Sequence, residues 1–189
     1  MQTRERIVVA ASRLIQRQGY VGTGIKQIAQ EASATLGSVY HFFPGGKEAV
    51  GVAALEHGAE EFAILLRTAL AGEQDPADAV TAAVRHLADA LSASGWTDGC
   101  PVTAAALETL GGDSDIRQAC VDAFASWEQI VHDKLVDGGF PARTARDLAS
   151  TVISTLEGAE VTAQVRRSKE PLLTAGRQLA LLIRAHDAA

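Results

Sequence analysis

The chain has 189 residues, enough to bury a core either as one domain or as a small domain joined to a larger one. It is acidic, with a formal net charge of −6, yet its first 47 residues hold six basic side chains (Arg4, Arg6, Arg13, Arg17, Lys26, Lys47) against two acids (Glu5, Glu31), a local +4 that leaves −10 on the remaining 142. Two cysteines without a CxxC spacing exclude a disulfide scaffold and fit a reduced compartment, and no run of about 18 apolar residues offers a membrane span.

Between Thr3 and Gln18, apolar Ile7, Ala10, Ala11, Leu14 and Ile15 recur at helical spacing with four arginines between them, and Gly19 supplies a stop. A second, short helix carries Ile25, Ile28, Ala29 and Ala32 on one face. Thr23 is its expected N-cap, or its hydroxyl meets a phosphate. The segment Ser33–Ala34–Thr35 turns the chain, and Thr35 caps a third helix with Val39, Phe42 and Phe43 inward and Gly37, Ser38, Tyr40 and His41 outward. Two short helices joined by a tight turn, the second presenting small and polar side chains, are what a helix-turn-helix needs to enter a major groove. An ordinary helical hairpin is the plainer alternative. The basic charge falls on the same residues, which localises phosphate attraction to this head.

Phe43–Pro44–Gly45–Gly46 ends the head, so the expected domains are 1–46 and 47–189. A long helix from Lys47 to Leu70 follows, then one that starts at Asp75–Pro76 and runs to about Ala93. Gly99–Cys100–Pro101 opens a short helix to Leu110, and Ile116 to Val136 forms a longer one. The last two, about Ala142–Arg167 and Glu170–His186, each bear a broad apolar face interrupted by a glycine, Gly158 or Gly176. A glycine inside a helix costs about 1 kcal/mol relative to alanine, which close helix approach would explain. Nothing in the pattern reads as strand, so the fold class is all-α: an N-terminal three-helix helix-turn-helix domain plus a larger helical domain.

The run TGIKQIAQEASATLGSVYHFFPGGKEAV, Thr23 to Val50, resembles the DNA-binding signature of the TetR family of bacterial regulators. Thr23 precedes Ile28–Ala29, a short turn follows, Gly37, Tyr40 and Phe43 form the GxxYxxF close of the recognition helix, and Lys47–Glu48 opens the next helix. The body, with Gly99–Cys100–Pro101 and Leu156–Glu157–Gly158–Ala159, is similar to the LmrA/YxaF-like subgroup. Two departures stand out. Ser33 occupies the place of a turn glycine, which strains a left-handed backbone if the turn keeps its usual geometry. Leu36 stands where a lysine or similar polar residue is common, which counts against sequence readout at that position.

The resemblance implies a cytoplasmic homodimer that binds a double-stranded DNA operator, acts as a repressor and is released by a small effector. It maps Thr35, Gly37 and Ser38 to groove contacts and Thr23, Tyr40, His41 and Lys47 to phosphates, with Lys26 beside them. It assigns the last two helices to a dimeric four-helix bundle through Leu148, Val152, Leu156, Gly158, Leu172, Gly176, Leu179 and Ile183. A small apolar or aromatic effector is expected among Phe62, Leu66, Trp96, Cys100, Phe124 and Trp127, residues concentrated on interrupted body helices.

No glycine-rich phosphate loop, HExxH, GxSxG or paired-cysteine zinc spacing is present. Glu56, His57, Glu60 and Glu61 read as a solvated helix face before they read as a metal site. Cys100 opens a helix, where a thiol pKa is lowered, so a sensing role is a minor alternative. Neither enzyme activity nor a cofactor nor a metal is expected; the competing class is an all-α small-molecule-binding protein or enzyme that retains the head.

Overall fold

The computed structural model describes residues 1–187. Among them the regular structure is helical throughout: α1 Thr3–Gln18, α2 Ile25–Glu31, α3 Leu36–Phe42, α4 Gly46–Ala71, α5 Pro76–Ala93, α6 Pro101–Glu108, α7 Asp115–Asp137, α8 Ala142–Arg166 and α9 Glu170–Asp187. The expected elements are all present with ends shifted by a residue or two. The largest shift is at α6, which stops short of Leu110 because Thr109 leaves helical geometry and its hydroxyl bonds back to the Ala105 carbonyl at 3.0 Å. No described helix is long and apolar enough to cross a membrane.

The chain forms two compact units. One comprises Met1–Glu61 and Cys100–Ala123, the other Phe62–Gly99 with the chain from Phe124 onward. The first is larger than the head drawn from the sequence, since it takes in the start of α4, all of α6 and the start of α7.

In the first unit α1 is the central element and packs on α2, α3 and α6. Ile7, Ala11 and Ile15 on its inner stripe are sealed from solvent, as are Val39 of α3 and Val102 and Ala105 of α6. Each large aliphatic side chain sealed in this way stabilises the unit by about 1.5–3 kcal/mol. Two arginines of the basic head also have internal work. Arg6 Nε donates to the Ala32 carbonyl at 3.0 Å at the end of α2, and the Arg4 guanidinium lies 5.2 Å from the centre of the Phe43 ring.

In the second unit α9 packs along α5 and α8. Asp75 caps α5 by accepting the Asp78 N–H at 2.8 Å, with Pro76 in the first turn, as the dipeptide predicts. The contact of α9 with α5 is close at Gly176, where an added Cβ would come within 3.1 Å of Val84. Close approach therefore accounts for Gly176. It does not account for Gly158, which faces solvent with no atom within 4 Å of such a Cβ. Exposed ion pairs line the same helices: Lys169 reaches Asp89 and Arg184 reaches Asp78, each at 2.6 Å.

Candidate nucleic-acid interface

The turn between α2 and α3 is built by the backbone. After Glu31 the Ser33 N–H bonds to the Gln30 carbonyl at 3.1 Å and the Ala34 N–H to the Ala29 carbonyl at 2.8 Å, the paired bonds of a Schellman close. That close places its C′ residue in left-handed space, and Ser33 takes it with φ 49°. The strain expected of a serine in the glycine position is thus present. Two residues on, the Thr35 hydroxyl accepts the Ser38 N–H at 3.0 Å and caps α3, as its position predicts.

Thr35, Gly37, Tyr40 and His41 are exposed, with Tyr40 53% accessible, while Ser38 is half-buried and sits 2.9 Å from the Thr35 hydroxyl. Lys26 on α2 is exposed as well. Phe42, expected inward, instead faces outward with its ring edge-on to His41 at 5.0 Å. The core side of this turn is taken by Val39 and by Phe43, its i+4 neighbour at the C-cap, which is buried, so Phe42 is left at the edge.

Thr23 departs from both expected roles. Gly24, not Thr23, is the N-cap of α2, and the buried Thr23 hydroxyl donates to the Gly19 carbonyl at 2.7 Å. Its hydroxyl therefore braces the loop between α1 and α2 instead of facing a phosphate. Lys47 is half-buried and engaged with the same loop: Nζ donates to the Val21 carbonyl at 3.0 Å and lies 4.7 Å from the centre of the Tyr20 ring. Burial of that ring, with the Glu48 carboxylate nearby, raises the Tyr20 pKa above its usual value.

No local pattern points to the partner that completes this loop. Glu108, at the end of α6, accepts the Val21 N–H at 2.8 Å across 87 positions of chain. Its carboxylate lies over Gly19, φ 78°, where any Cβ would run into it. Gly19 was legible as a helix stop; that it also clears a seat for a distant carboxylate was not.

A helix-turn-helix with these caps and this outward face is one half of the case, and comparison with known proteins supplies the other. Residues 7–54 match the model of the tetR family of bacterial regulatory proteins, and residues 76–178 match the C-terminal domain of LmrA/YxaF-like transcriptional regulators. The chain belongs to the TetR family. The HTH-type transcriptional regulator YxaF of Bacillus subtilis is 34% identical to this TetR-family regulator over 182 residues, covering 96% of this chain and 95% of its own. LmrA of the same organism is 33% identical over 171 residues, 90% of this chain and 91% of its own. Among solved structures, reduced NemR of Escherichia coli superposes with a TM-score of 0.78 at 27% identity over 94% of both chains. The TetR regulatory protein of Rhodobacter sphaeroides has the same fold, TM-score 0.83 at 23% identity, over 93% of this chain and 96% of its own.

In the second unit of the TetR-family chain, three of the residues expected to meet an effector form one aromatic cluster. The sealed Trp127 ring takes Phe62 at 4.7 Å and Phe124 at 5.4 Å between centroids, both edge-on. Leu66 is buried and Trp96 half-buried in the same unit, Trp96 in a loop with φ 70°. Cys100 belongs to the first unit, where it caps α6 by accepting the Thr103 N–H at 3.4 Å. Two open clefts in the second unit lie on other residues: one of about 210 Å³ along α5 and α9 at Thr81, Val84 and Gly176, and one of about 420 Å³ between α8 and α9 at Thr144, Leu148 and Leu182.

Most residues expected at the dimer contact are engaged within the protomer. Leu148, Val152, Leu156, Leu172, Gly176, Leu179 and Ile183 are already buried inside the protomer, because α9 spends that face on α5 and α8. Leu148 and Gly176 border the two open clefts, and the others are enclosed. Only Gly158 faces outward. The apolar residues α8 and α9 leave to solvent are Val161, Val165, Leu181 and Leu182, with Val165 at 82% exposure.

Proposed function

We propose that this regulator binds an operator as a homodimer, represses, and is released when a small apolar or aromatic effector occupies its body. The observation that carries the reading is the α2–α3 pair: a Schellman close, a side-chain cap at Thr35 and an exposed face of Thr35, Gly37, Tyr40 and His41, within a first 47 residues of net charge +4. In this reading 1–46 is the DNA-binding domain and 47–189 the effector-binding and dimerisation domain, working in the cytoplasm beside the chromosome. Thr35, Gly37 and Ser38 approach base edges, and Tyr40, His41 and Lys26 face phosphates. Lys47 reaches a phosphate only by leaving the Val21 carbonyl, while Thr23 contributes through its fold, not its hydroxyl.

Two heads on one symmetric body suit half-sites about 34–36 Å apart. The face suited to that body is the outward one: Gly158, Val161 and Val165 of α8 with Leu181 and Leu182 of α9. The effector is expected at the aromatic cluster of Phe62, Phe124 and Trp127 together with Leu66 and Trp96. It weakens DNA binding by preferring a conformation whose heads no longer fit the half-sites, and a coupling of about 1–3 kcal/mol lowers operator affinity roughly 5- to 150-fold.

Selection of genomic fragments by the purified protein, followed by mobility shift of the selected duplex over a series of salt concentrations, tests the reading. Specific retention with affinity falling steeply as salt rises is expected, since neutralised phosphates release counterions. No preference for any fragment over bulk DNA would refute it.

A further inference from the structure

The recognition helix is poor in the side chains that read bases through paired hydrogen bonds. Such readout uses Arg or Lys against guanine, Asn or Gln against adenine and a carboxylate against cytosine. The α3 sequence, Leu36–Gly37–Ser38–Val39–Tyr40–His41–Phe42, contains none of them. The two hydroxyls at its start are engaged with each other and with the cap, Thr35 Oγ1 lying 2.9 Å from Ser38 Oγ and 3.0 Å from Ser38 N.

Beside exposed Tyr40 and His41, this face also holds one apolar side chain and one bare backbone position. Leu36 is 39% exposed, one helical turn from exposed Tyr40 and next to exposed Gly37. A lone exposed leucine is ordinary on a protein surface. This one sits at the first position of α3, beside the sealed Val39 stripe on one side and exposed Tyr40, its i+4 neighbour, on the other, so its free part borders the outward face. Gly37 sharpens the point: an added Cβ there would meet only the Thr35 hydroxyl at 3.7 Å, an ordinary contact, so nothing inside the chain requires a glycine. A bare backbone beside Leu36 lets the helix come closer to base edges. The one apolar feature the major groove displays is the C5 methyl group of thymine.

We propose that Leu36 reads a thymine in each half-site by packing on its C5 methyl group. The proposal rests on α3 being the helix that enters the groove, as set out above. It makes Leu36 a specificity-determining residue in place of the polar reader common at that position.

Replacing thymine by deoxyuridine removes that methyl and nothing else. Once the operator has been selected, each thymine of a half-site is exchanged in turn and affinity is measured at one fixed salt concentration. Wild type should lose about fourfold at one position per half-site, the factor expected for one buried methyl group. Leu36→Ala should bind the thymine operator more weakly, be indifferent to deoxyuridine at that position, and keep wild-type affinity for non-specific duplex and an unchanged melting temperature. Repeating the selection with Leu36→Lys should change the base preferred there. A wild type that binds its operator but ignores every deoxyuridine exchange overturns the proposal and leaves the regulator reading standing, as does a Leu36→Ala variant that keeps the full deoxyuridine penalty. Failure to select any duplex overturns both.

Discussion

Ser33 shows how a single residue can hold a strained backbone when its neighbours dictate it. The two backbone bonds that close α2 place position 33 at φ 49°, a region that costs a residue with a Cβ about 1–2 kcal/mol. Glycine avoids that cost but has more freedom to lose on folding, so Ser33→Gly should stabilise the protein by a net of about 0.5–1 kcal/mol. Denaturant unfolding would show this as a higher midpoint with an unchanged slope; a lower midpoint would mean that the serine side chain supports the turn. Cys120 offers a second measurement. Its thiol is buried and contacts the Val102 carbonyl at 3.6 Å, and burial pushes its pKa from 9.0 up to about 11. A raised acid pKa means that the stability tied to the neutral thiol is complete below pH 9 and is lost as pH rises through about 11. Native protein should therefore resist thiol alkylation at Cys120 at pH 8, whereas unfolded protein should react readily. Prompt native labelling there would show that the site opens.

At the scale of elements, the loop from Gly19 to Thr23 depends on helices far from it in sequence. Lys47 of α4 takes the Val21 carbonyl, Glu108 of α6 takes the Val21 N–H, and Thr23 ties back to Gly19. Glu108→Ala removes one of these bonds and should cost about 0.5–1.5 kcal/mol, the usual worth of a hydrogen bond. Amide exchange at Val21 should quicken well beyond that of α1. Unchanged exchange would show that Lys47 and Thr23 hold the loop without Glu108. Arg4 and Arg6 belong to the same scale, because their contacts with Phe43 and the Ala32 carbonyl use basic side chains to assemble the head.

For the whole molecule the decisive matter is which face of α8 and α9 remains free. Charging a residue already buried, such as Leu156 or Leu179, should unfold the protein, since an unpaired charge in a core is severely unfavourable. Charging an outward residue should do something different. Val165→Asp or Leu181→Asp should leave helix content and melting near wild type, convert dimers to monomers in sedimentation, and abolish operator binding. A wild type that sediments as a monomer at micromolar concentration would remove the homodimer from the proposed function.

What the amino-acid sequence determined by itself was local: apolar periodicity, the Asp75–Pro76 and Thr35 caps, and glycine stops located every helix to within a residue or two. These signals act within one or two turns of chain, so they survive without knowledge of the fold. The head was legible for the same reason, because Thr35, Gly37, Tyr40 and the turn lie within a few residues of one another. Tertiary structure decided what depends on distant partners. The stripes of α8 and α9 look equally apolar in sequence, yet only the fold shows that α9 is covered by α5 and α8, that α8 packs mainly on α9, and that Val161, Val165, Leu181 and Leu182 are left outside. Thr23 turned inward because the α1–α2 loop needed its hydroxyl, and Glu108 came to the head from the end of α6, 87 positions beyond the residue it holds. Spacing along the chain carries no record of such pairings, since burial and long-range hydrogen bonds are properties of packed surfaces.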